Sequence, residues 1–491
     1  MDFDLFIIGG GINGAAIARD AAGRGLRVGL AERADFGGAT SSASSKLIHG
    51  GLRYLEHGAF RLVRESLHER EVLLRIAPHL VRRQRFILPV TAGGVRSALV
   101  LRLGLFLYDL LAGAARLEPA GHIPSRQWED FAELDLSRVR GLLHYPDCQT
   151  DDSRLVLETL LDAKAHGADI RSRAEVTAIH PLDHGYAVEI MAGGTTREIR
   201  TRIAVNAAGP WVDDVLARLE GAPAKKHRLR LVRGSHIVVR QPADAGNAAY
   251  TLQNLDGRVV FVLPWLDQYR LIGTTEIVQE NMADPPACSG AEEAYLLDAY
   301  NAAFRAKLGA SDVVWRFAGV RPLLDDGKSK PDAVTRDYTF NLARQGEGGF
   351  LSVYGGKLTT HRLLAECALE RLRPMLPGIG GSWTATRPVH GGAFSRPRLE
   401  ALWREGPASL APEIRRRWCF TYGAVAADLF EAVRRNPALA REIVRGVPEI
   451  ELAHAAEVED ARNAEDFLYR RTKLFLGLNE AERATIAGFF V

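Results

Sequence analysis

The chain has 491 residues, 47% hydrophobic and 25% charged, enough to bury sizeable cores in about two to four domains. Its 63 basic and 60 acidic residues leave a formal charge of +3, so no global positive field argues for a nucleic-acid partner and any anion site must be local. Four scattered cysteines, Cys148, Cys288, Cys367 and Cys419, show no CxxC spacing, which disfavours a disulfide framework and a cysteine zinc site and suits a reducing compartment.

The N-terminus MDFDLFIIGGG lacks a basic region followed by a cleavable apolar segment, so no secretory leader is expected. Residues 3–8 are apolar but for Asp4, the pattern of a parallel strand covered on both faces. Ala15 to Ala22 are helix formers, Gly25 marks a stop, and Leu26 to Ala31 read as the next strand. Between strand and helix stand Gly9, Gly11 and Gly14. The first permits the tight turn, the second close approach of a pyrophosphate, and the third close packing of helix on strand. The helix N-terminus then faces the anion. Glu32 ends the second strand 18 residues beyond Gly14, where a carboxylate accepts hydrogen bonds from a ribose. These features predict a dinucleotide site without separating NAD from FAD.

Next comes SSKLIHGGLRYLEHG, residues 44–58, which holds two basic side chains, two histidines and three glycines. Residues 97–115, SALVLRLGLFLYDLLAGAA, are strongly apolar, but Arg102 and Asp109 interrupt them short of the roughly 20 residues of a spanning helix. With Arg96, Arg102 and Arg116 nearby, the segment reads either as a buried amphipathic helix or as one lying in a bilayer surface. A helix and strand follow in DSRLVLETLLDAKAHGADIRSRAEVTAIH, then a strand, glycine turn and helix in TRIAVNAAGPWVDDVLARL. The turn NAAGPW, Asn206 to Trp211, suits close approach of a long cofactor and favours a flavin. RGSHIVVR, RVVFVLPW and QYRLIGTTE alternate as antiparallel strands do. YGGKLTTHR, Tyr354 to Arg362, offers glycines, small hydroxyls and a helix N-terminus that could stabilise the negative edge of a reduced flavin.

After the Gly- and Pro-containing linker GIGGSWTATRPVHGGAF nearly everything reads as helix. Within it, AEVEDARNAEDFLYRRTKLFLGL carries charges at helical spacing, the pattern of a solvated face with some core contacts rather than of a partner site. No internal repeat is present. The expected fold is α/β: a Rossmann-like FAD-binding domain with an antiparallel-sheet substrate domain and an all-α C-terminal domain. The boundaries follow the patterns: 1–75, 150–225 and 320–375 for the discontinuous FAD-binding domain, 76–149 and 226–319 for the substrate-binding, membrane-facing domain, and 385–491 for the helices.

Arg53, Arg321, Arg336 and Lys357 all stand beside glycine, proline or turn signals, where cations can converge on a phosphate. The fourteen histidines include no H-E-x-x-H cluster, and no metal site is expected.

In order along the chain, IGGGINGAAIARDAAGRG, GATSSASSKLIHGGLRYLEHG, NAAGPW, RGSHIVV, GVRPLLDD, TRDYTF and GGKLTTHR closely resemble the FAD-dependent, respiratory glycerol-3-phosphate dehydrogenases. The resemblance covers essentially the whole chain and departs at His361, where the family commonly has tyrosine. It implies that Thr40 to Leu47 wrap FAD and that His49 to Arg53 enter the substrate pocket. Cofactor contacts are then expected from Gly9, Gly11, Gly14, Glu32, Thr40, Ser41, Ser44, Ser45, Lys46, Leu47, Val176, Ala208, Gly209, Gly356, Lys357, Leu358 and Thr359. Substrate contacts are expected from His49, Arg53, Arg321, Arg336 and Lys357.

The implied reaction turns sn-glycerol 3-phosphate into dihydroxyacetone phosphate by hydride transfer to the flavin, with electrons passed to a membrane quinone such as ubiquinone. His236 is the expected base, and Arg321 and Lys357 complete the catalytic set. Arg53 and Arg336 are assigned to the phosphate. The family also implies peripheral attachment to the cytoplasmic face of the cell membrane and a homodimer. Rival readings are a glycerol-3-phosphate oxidase producing hydrogen peroxide, an amino-acid oxidase on the same fold, and a flavin-bound interaction protein without turnover.

Overall fold

The computed structural model describes the chain except residues 93, 116, 223–228, 243–244, 326–336 and 491. Strand β1 (Phe3–Ile8), helix α1 (Ile12–Gly23) and strand β2 (Val28–Ala31) open it as the sequence predicts. Then come β3 (Leu47–Ile48), α2 (Phe60–Ile76), β4 (Arg82–Thr91), α3 (Ala98–Ala112), β5 (Gly121–Ile123), β6 (Val139–Gln149) and α4 (Asp152–Ala165). The middle of the chain supplies β7 (Asp169–Arg171), β8 (Ala174–Leu182), β9 (Gly185–Ala192), β10 (Thr195–Asn206), α5 (Val212–Ala217), β11 (Leu229–Arg240), β12 (Ala249–Gln253), β13 (Val259–Trp265), β14 (Tyr269–Gly273) and β15 (Ile277–Gln279). It closes with α6 (Gly290–Ala303), β16 (Val313–Leu324), β17 (Tyr338–Gln345), β18 (Gly348–Gly355), α7 (His361–Leu372), and the C-terminal helices α8 (Arg396–Glu405), α9 (Pro412–Thr421), α10 (Val425–Arg435), α11 (Glu449–Glu457) and α12 (Glu480–Phe489).

Among the described residues the strands fall into two large sheets and one small hairpin. The first runs β17-β18-β10-β1-β2-β7, with β8 and β9 attached beside β10. Its centre is parallel: β10, β1 and β2 run together with β18 and β7. Leu5, Ile7, Val28, Leu30, Ile203, Val205 and Leu351 pack beneath α1, α4 and α7 in one core. The short alanines of α1 let that helix lie close to the sheet, and Ala15, Ala18 and Ala21 are fully buried.

The second sheet runs β15-β11-β14-β13-β12-β4-β6-β3, with β16 on β11 and β5 on β6. Most of its pairs are antiparallel, while β12 and β4 are parallel. Alternation along its strands gives two apolar faces. Ile237, Val239, Tyr250, Val262 and Ile272 pack on α6 through Leu296 and Tyr300, and on Phe304 just beyond its end. Val238, Leu263, Leu271, Phe86 and Leu88 pack on α3 through Leu101, Leu105 and Tyr108.

The α/β class with a helical C-terminal region is thus observed. The chain stays in the second sheet through Leu324 and is back in the first at Tyr338, later than the residue-320 boundary read from sequence. The reason is local: β16 continues GVRPLL as one strand paired to β11 down to Leu229↔Leu324, and its proline does not end it.

Candidate active site

A cavity of about 690 Å³ runs between the two sheets. At its first-sheet end the backbone turns at Gly9 (φ +110°), and a Cβ there would stand 2.8 Å from the Ala207 carbonyl oxygen. A Cβ on Gly14 would stand 1.9 Å from the Gly9 carbonyl oxygen, so the tight turn and the close helix both require glycine. Gly11 caps α1 without a side-chain hydrogen bond, and Gly11, Ile12 and Asn13 line the cavity. Apart from the Ile12 amide, which Ser41 takes, the first turn therefore presents its amides and its positive end to whatever fills the space.

Around this turn the side chains form a polar cradle. Glu32 accepts the Gly10 and Ala34 amides at 2.7 and 2.8 Å. Burial nonetheless pushes its carboxyl pKa up, and a carboxylate so placed keeps further lone pairs for a diol. Ser41 Oγ accepts the Ile12 amide at 3.0 Å. Asn13 donates to the Gly355 carbonyl at 3.1 Å, while its Oδ1 is buried without a hydrogen-bond partner among the described residues. Val176, Ala208, Gly209, Gly356, Lys357, Leu358 and Thr359 also line the cavity. Open amides, a carboxylate and an orphaned acceptor along one elongated cavity suit a dinucleotide with a polar ring system.

The loop after β2 is pinned by its own hydroxyls. Thr40 Oγ1 donates to the Val320 carbonyl at 2.6 Å, and Ser44 Oγ to Asp152 at 2.7 Å. Thr40, Ser41, Ser44, Ser45 and Leu47 line the cavity. Lys46 does not: its Nζ turns away to Asp152 at 2.8 Å and the Ser42 carbonyl at 3.0 Å, because a buried ammonium needs a carboxylate partner. Its side chain is a clamp on α4 and leaves the cofactor cradle.

Across the cavity, His49, Arg53, Arg321 and Lys357 come together on its wall. Arg53 stands 3.6 Å from Glu276. Arg321 Nη2 donates to Thr274 Oγ1 at 3.2 Å. Lys357 Nζ donates to Ser66 Oγ at 2.8 Å and lies 4.4 Å from the Tyr54 ring centre. His49 is fixed through its backbone, whose amide donates to Thr359 Oγ1 at 3.2 Å, and its ring meets Phe261 edge-on. Three cations against one carboxylate leave a local positive excess suited to a dianion. Arg336 lies outside the described residues.

His236 is placed differently from the expected base. It is 1% exposed, lies behind the cavity wall, stacks on Phe317 and shares a 2.9 Å hydrogen bond with Ser45 Oγ. Burial, with Arg321 and Lys46 nearby, holds its pKa well below the usual imidazole value. His361, the departure from the family pattern, is also buried; its Nδ1 meets the Leu358 carbonyl at 2.6 Å and burial pushes its pKa down to about 4.

Sequence reading missed Tyr54, Glu276, Thr274, Tyr145, Thr251 and Gln253, which all line the cavity. Tyr54 directly follows Arg53 and Glu276 ends QYRLIGTTE, so both were legible as polar residues beside the candidate cations and strands. Nothing in the sequence marks Thr251 or Gln253, since a polar residue in an alternating strand reads as solvent-facing. No group of three or more His, Cys, Asp or Glu able to hold a metal occurs among the described residues.

A model of the FAD dependent oxidoreductase family matches residues 4–362. D-erythritol 1-phosphate dehydrogenase of Brucella abortus is 43% identical over 99% of this chain and 97% of its own length. Glycerol-3-phosphate dehydrogenase of Pseudomonas aeruginosa is 43% identical over 99% of this chain and 94% of its own. The crystal structure of glycerol-3-phosphate dehydrogenase from Bacillus halodurans complexed with FAD superposes with a TM-score of 0.80 at 27% identity, covering 100% of this chain and 91% of that one.

Proposed function

As the chain belongs to the FAD-dependent oxidoreductases and, over its whole length, to the glycerol-3-phosphate dehydrogenase family within them, we propose that it oxidises a secondary hydroxyl of a phosphorylated polyol, with sn-glycerol 3-phosphate going to dihydroxyacetone phosphate. The observation that carries this reading is the convergence of Arg53, Arg321, Lys357 and His49 on a cavity continuous with the dinucleotide cradle.

FAD, when bound, supplies the acceptor for the hydride. The remaining work falls to side chains. Arg53, steered by Glu276, and Arg321, steered by Thr274, hold the phosphate through directed N–H donors. Lys357 stabilises the negative charge that grows on the substrate oxygen as its proton leaves. His49 takes that proton, because it is the imidazole that lines the cavity. The C–H bond breaks with both electrons leaving as hydride, the O–H proton passes to His49, and a carbonyl forms. His236 orients Ser45 from behind. Arg336, assigned to the phosphate from sequence, remains part of the proposal: Arg336→Ala raises KM and leaves bound FAD unchanged.

We place the outgoing electrons on a membrane quinone. Support comes from α3, whose outer face carries Leu99, Leu103, Phe106 and Leu110, each more than half exposed. Contiguous apolar surface of this kind, flanked by the exposed Arg102, matches an anionic bilayer. No helix among the described residues is long and apolar enough to cross a membrane. The same α3 brings Val100, Leu103 and Leu107 to the cavity mouth.

The test is anaerobic. Glycerol 3-phosphate bleaches the bound flavin, and a quinone analogue restores its colour. Persistent yellow colour with every polyol phosphate would reject the activity. Fast recolouring by oxygen with stoichiometric peroxide, and none by quinone, would replace the dehydrogenase with an oxidase. Phe106→Asp and Leu110→Asp abolish co-sedimentation with anionic vesicles while leaving anaerobic bleaching unchanged.

A further inference from the structure

The sheet wall of the cavity carries more neutral hydrogen-bonding groups than a three-carbon substrate can use. On β12, Thr251 and Gln253 are two residues apart and so point to the same face, roughly 7 Å from each other; both line the cavity. Thr251 Oγ1 and Tyr145 Oη are 2.8 Å apart, and the two residues are 6% and 3% exposed. The Tyr145 ring is held by stacking on Phe86 at 5.2 Å and by an edge contact to Tyr108 at 6.1 Å, so its hydroxyl has a fixed direction. Burial keeps that phenol protonated. Two hydroxyls that bond each other retain one hydrogen to donate and lone pairs to accept. Gln253 Oε1 is buried and has no hydrogen-bond partner among the described residues. A buried carboxamide oxygen without a donor is costly, and a ligand hydroxyl relieves it.

Glycerol 3-phosphate offers a phosphate, the hydroxyl that is oxidised, and one more hydroxyl. Arg53 and Arg321 suit the first, and Lys357 with His49 the second. The third is within the means of Thr274 and Glu276, which stand beside the arginines. The Thr251–Tyr145 pair and Gln253 are then left over, on a strand separated from β14 by β13 and hence about 10 Å from it.

We infer that this wall is a hydroxyl-reading subsite and that the preferred substrate is a phosphorylated polyol of four or more carbons. The inference rests on the polyol-phosphate activity proposed above. The extra carbinol lies against Thr251 and Tyr145, which both donate and accept, and Gln253 Oε1 takes its terminal O–H. The chemistry at the reacting carbon is unchanged.

The experiment compares anaerobic flavin bleaching by sn-glycerol 3-phosphate and by D-erythritol 1-phosphate, in the wild-type holoenzyme and in Thr251→Val and Gln253→Leu. Wild type is expected to react with the larger second-order rate constant towards the four-carbon substrate. Thr251→Val, which keeps the shape and removes the hydroxyl, lowers that constant about 10-fold, the size of one lost hydrogen bond. It leaves the three-carbon constant within about twofold. Gln253→Leu acts in the same direction. FAD content and unfolding temperature, measured alongside, separate a folding defect from a lost contact, and the wild-type ratio stands whatever the variants do. A wild type faster on the three-carbon substrate, or variants that slow both substrates equally, would overturn the subsite. Bleaching by neither would overturn the activity itself.

Discussion

An imidazole takes a proton from a substrate hydroxyl only where a ring nitrogen reaches that hydroxyl and the charged ring is tolerated. His236 meets neither condition, since Ser45 occupies its Nε2 and burial beside two cations disfavours its protonation. His49→Asn is therefore expected to slow substrate-driven flavin bleaching by about 10²–10⁴-fold. His236→Asn, which loses the orientation of Ser45, costs less than about tenfold. Stopped-flow bleaching at saturating substrate checks both, and equal losses would return the base to His236. The glycines were legible in the sequence because a positive φ or a clash at 1.9 Å excludes every other residue locally. The histidines were not, because strand alternation tells which face a side chain takes and says nothing of what stands between it and the cavity.

Helix α3 shows how one element serves two surfaces. Its outer residues Phe106 and Leu110 are exposed, while Tyr108 on the inner side is 1% exposed. Tyr108 Oη accepts the Gly50 amide at 2.9 Å and donates to Asp147 at 2.6 Å, and Arg70 holds Asp147 at 2.9 Å. The helix facing outward thus anchors the backbone between His49 and Arg53. Tyr108→Phe leaves a buried amide and a buried carboxylate oxygen without this partner, at about 1–3 kcal/mol. We expect the variant to keep its FAD, lose stability by that amount in urea, and bleach more slowly with a raised KM for polyol phosphate. Lower stability with KM unchanged would make Tyr108 merely structural. At this scale the sequence carried α3 only as an alternative, buried or bilayer-lying. Periodicity reported its apolar stripe, but the stripe proved wider than the sheet could cover, and tertiary packing alone divides it into two faces.

For the whole molecule, the main departure from sequence reading concerns how the C-terminal helices are held. Their charges, at helical spacing, read as a solvated face with some core contacts, yet the charged groups themselves are what is buried: Glu459, Asp466, Arg471 and Lys473 are all at most 5% exposed. Helical spacing was legible; the burial was not, because each charge finds its opposite on a distant segment. Arg154 donates to Glu459 at 2.7 Å, Arg471 to Asp35 at 2.9 Å, and Arg173 to Asp466 at 2.7 Å. Asp35 is itself on the cavity wall, so the helical region braces the cavity-lining loop that follows β2.

Burial alone would raise the Glu459 carboxyl, but Arg154 overrides it and holds the pKa at about 2. A pKa depressed in the folded state contributes stability above the ordinary carboxylate range and loses it as pH falls towards about 2. His390 has the opposite sign: burial opposes its charge, but Glu158 at 2.6 Å outweighs that and raises its pKa. Its contribution is complete below the free imidazole value and fades as pH rises through the raised one. Stability measured by urea unfolding is therefore expected to fall on both sides of a weakly acidic maximum, with FAD released first on the acid side. Arg471→Ala removes one of the two guanidinium partners of the buried Asp35 and leaves it to Arg470 alone, which costs about 1.5–3 kcal/mol, the size of a lost charged hydrogen bond. The double change Arg471→Met with Asp35→Asn costs less, because the under-paired carboxylate goes with its partner and Arg470 keeps Asp466 and Glu465. An Arg471→Ala protein as stable as wild type, or one that holds FAD equally well in acid, would show that the ion pairs merely decorate a dock made by apolar packing.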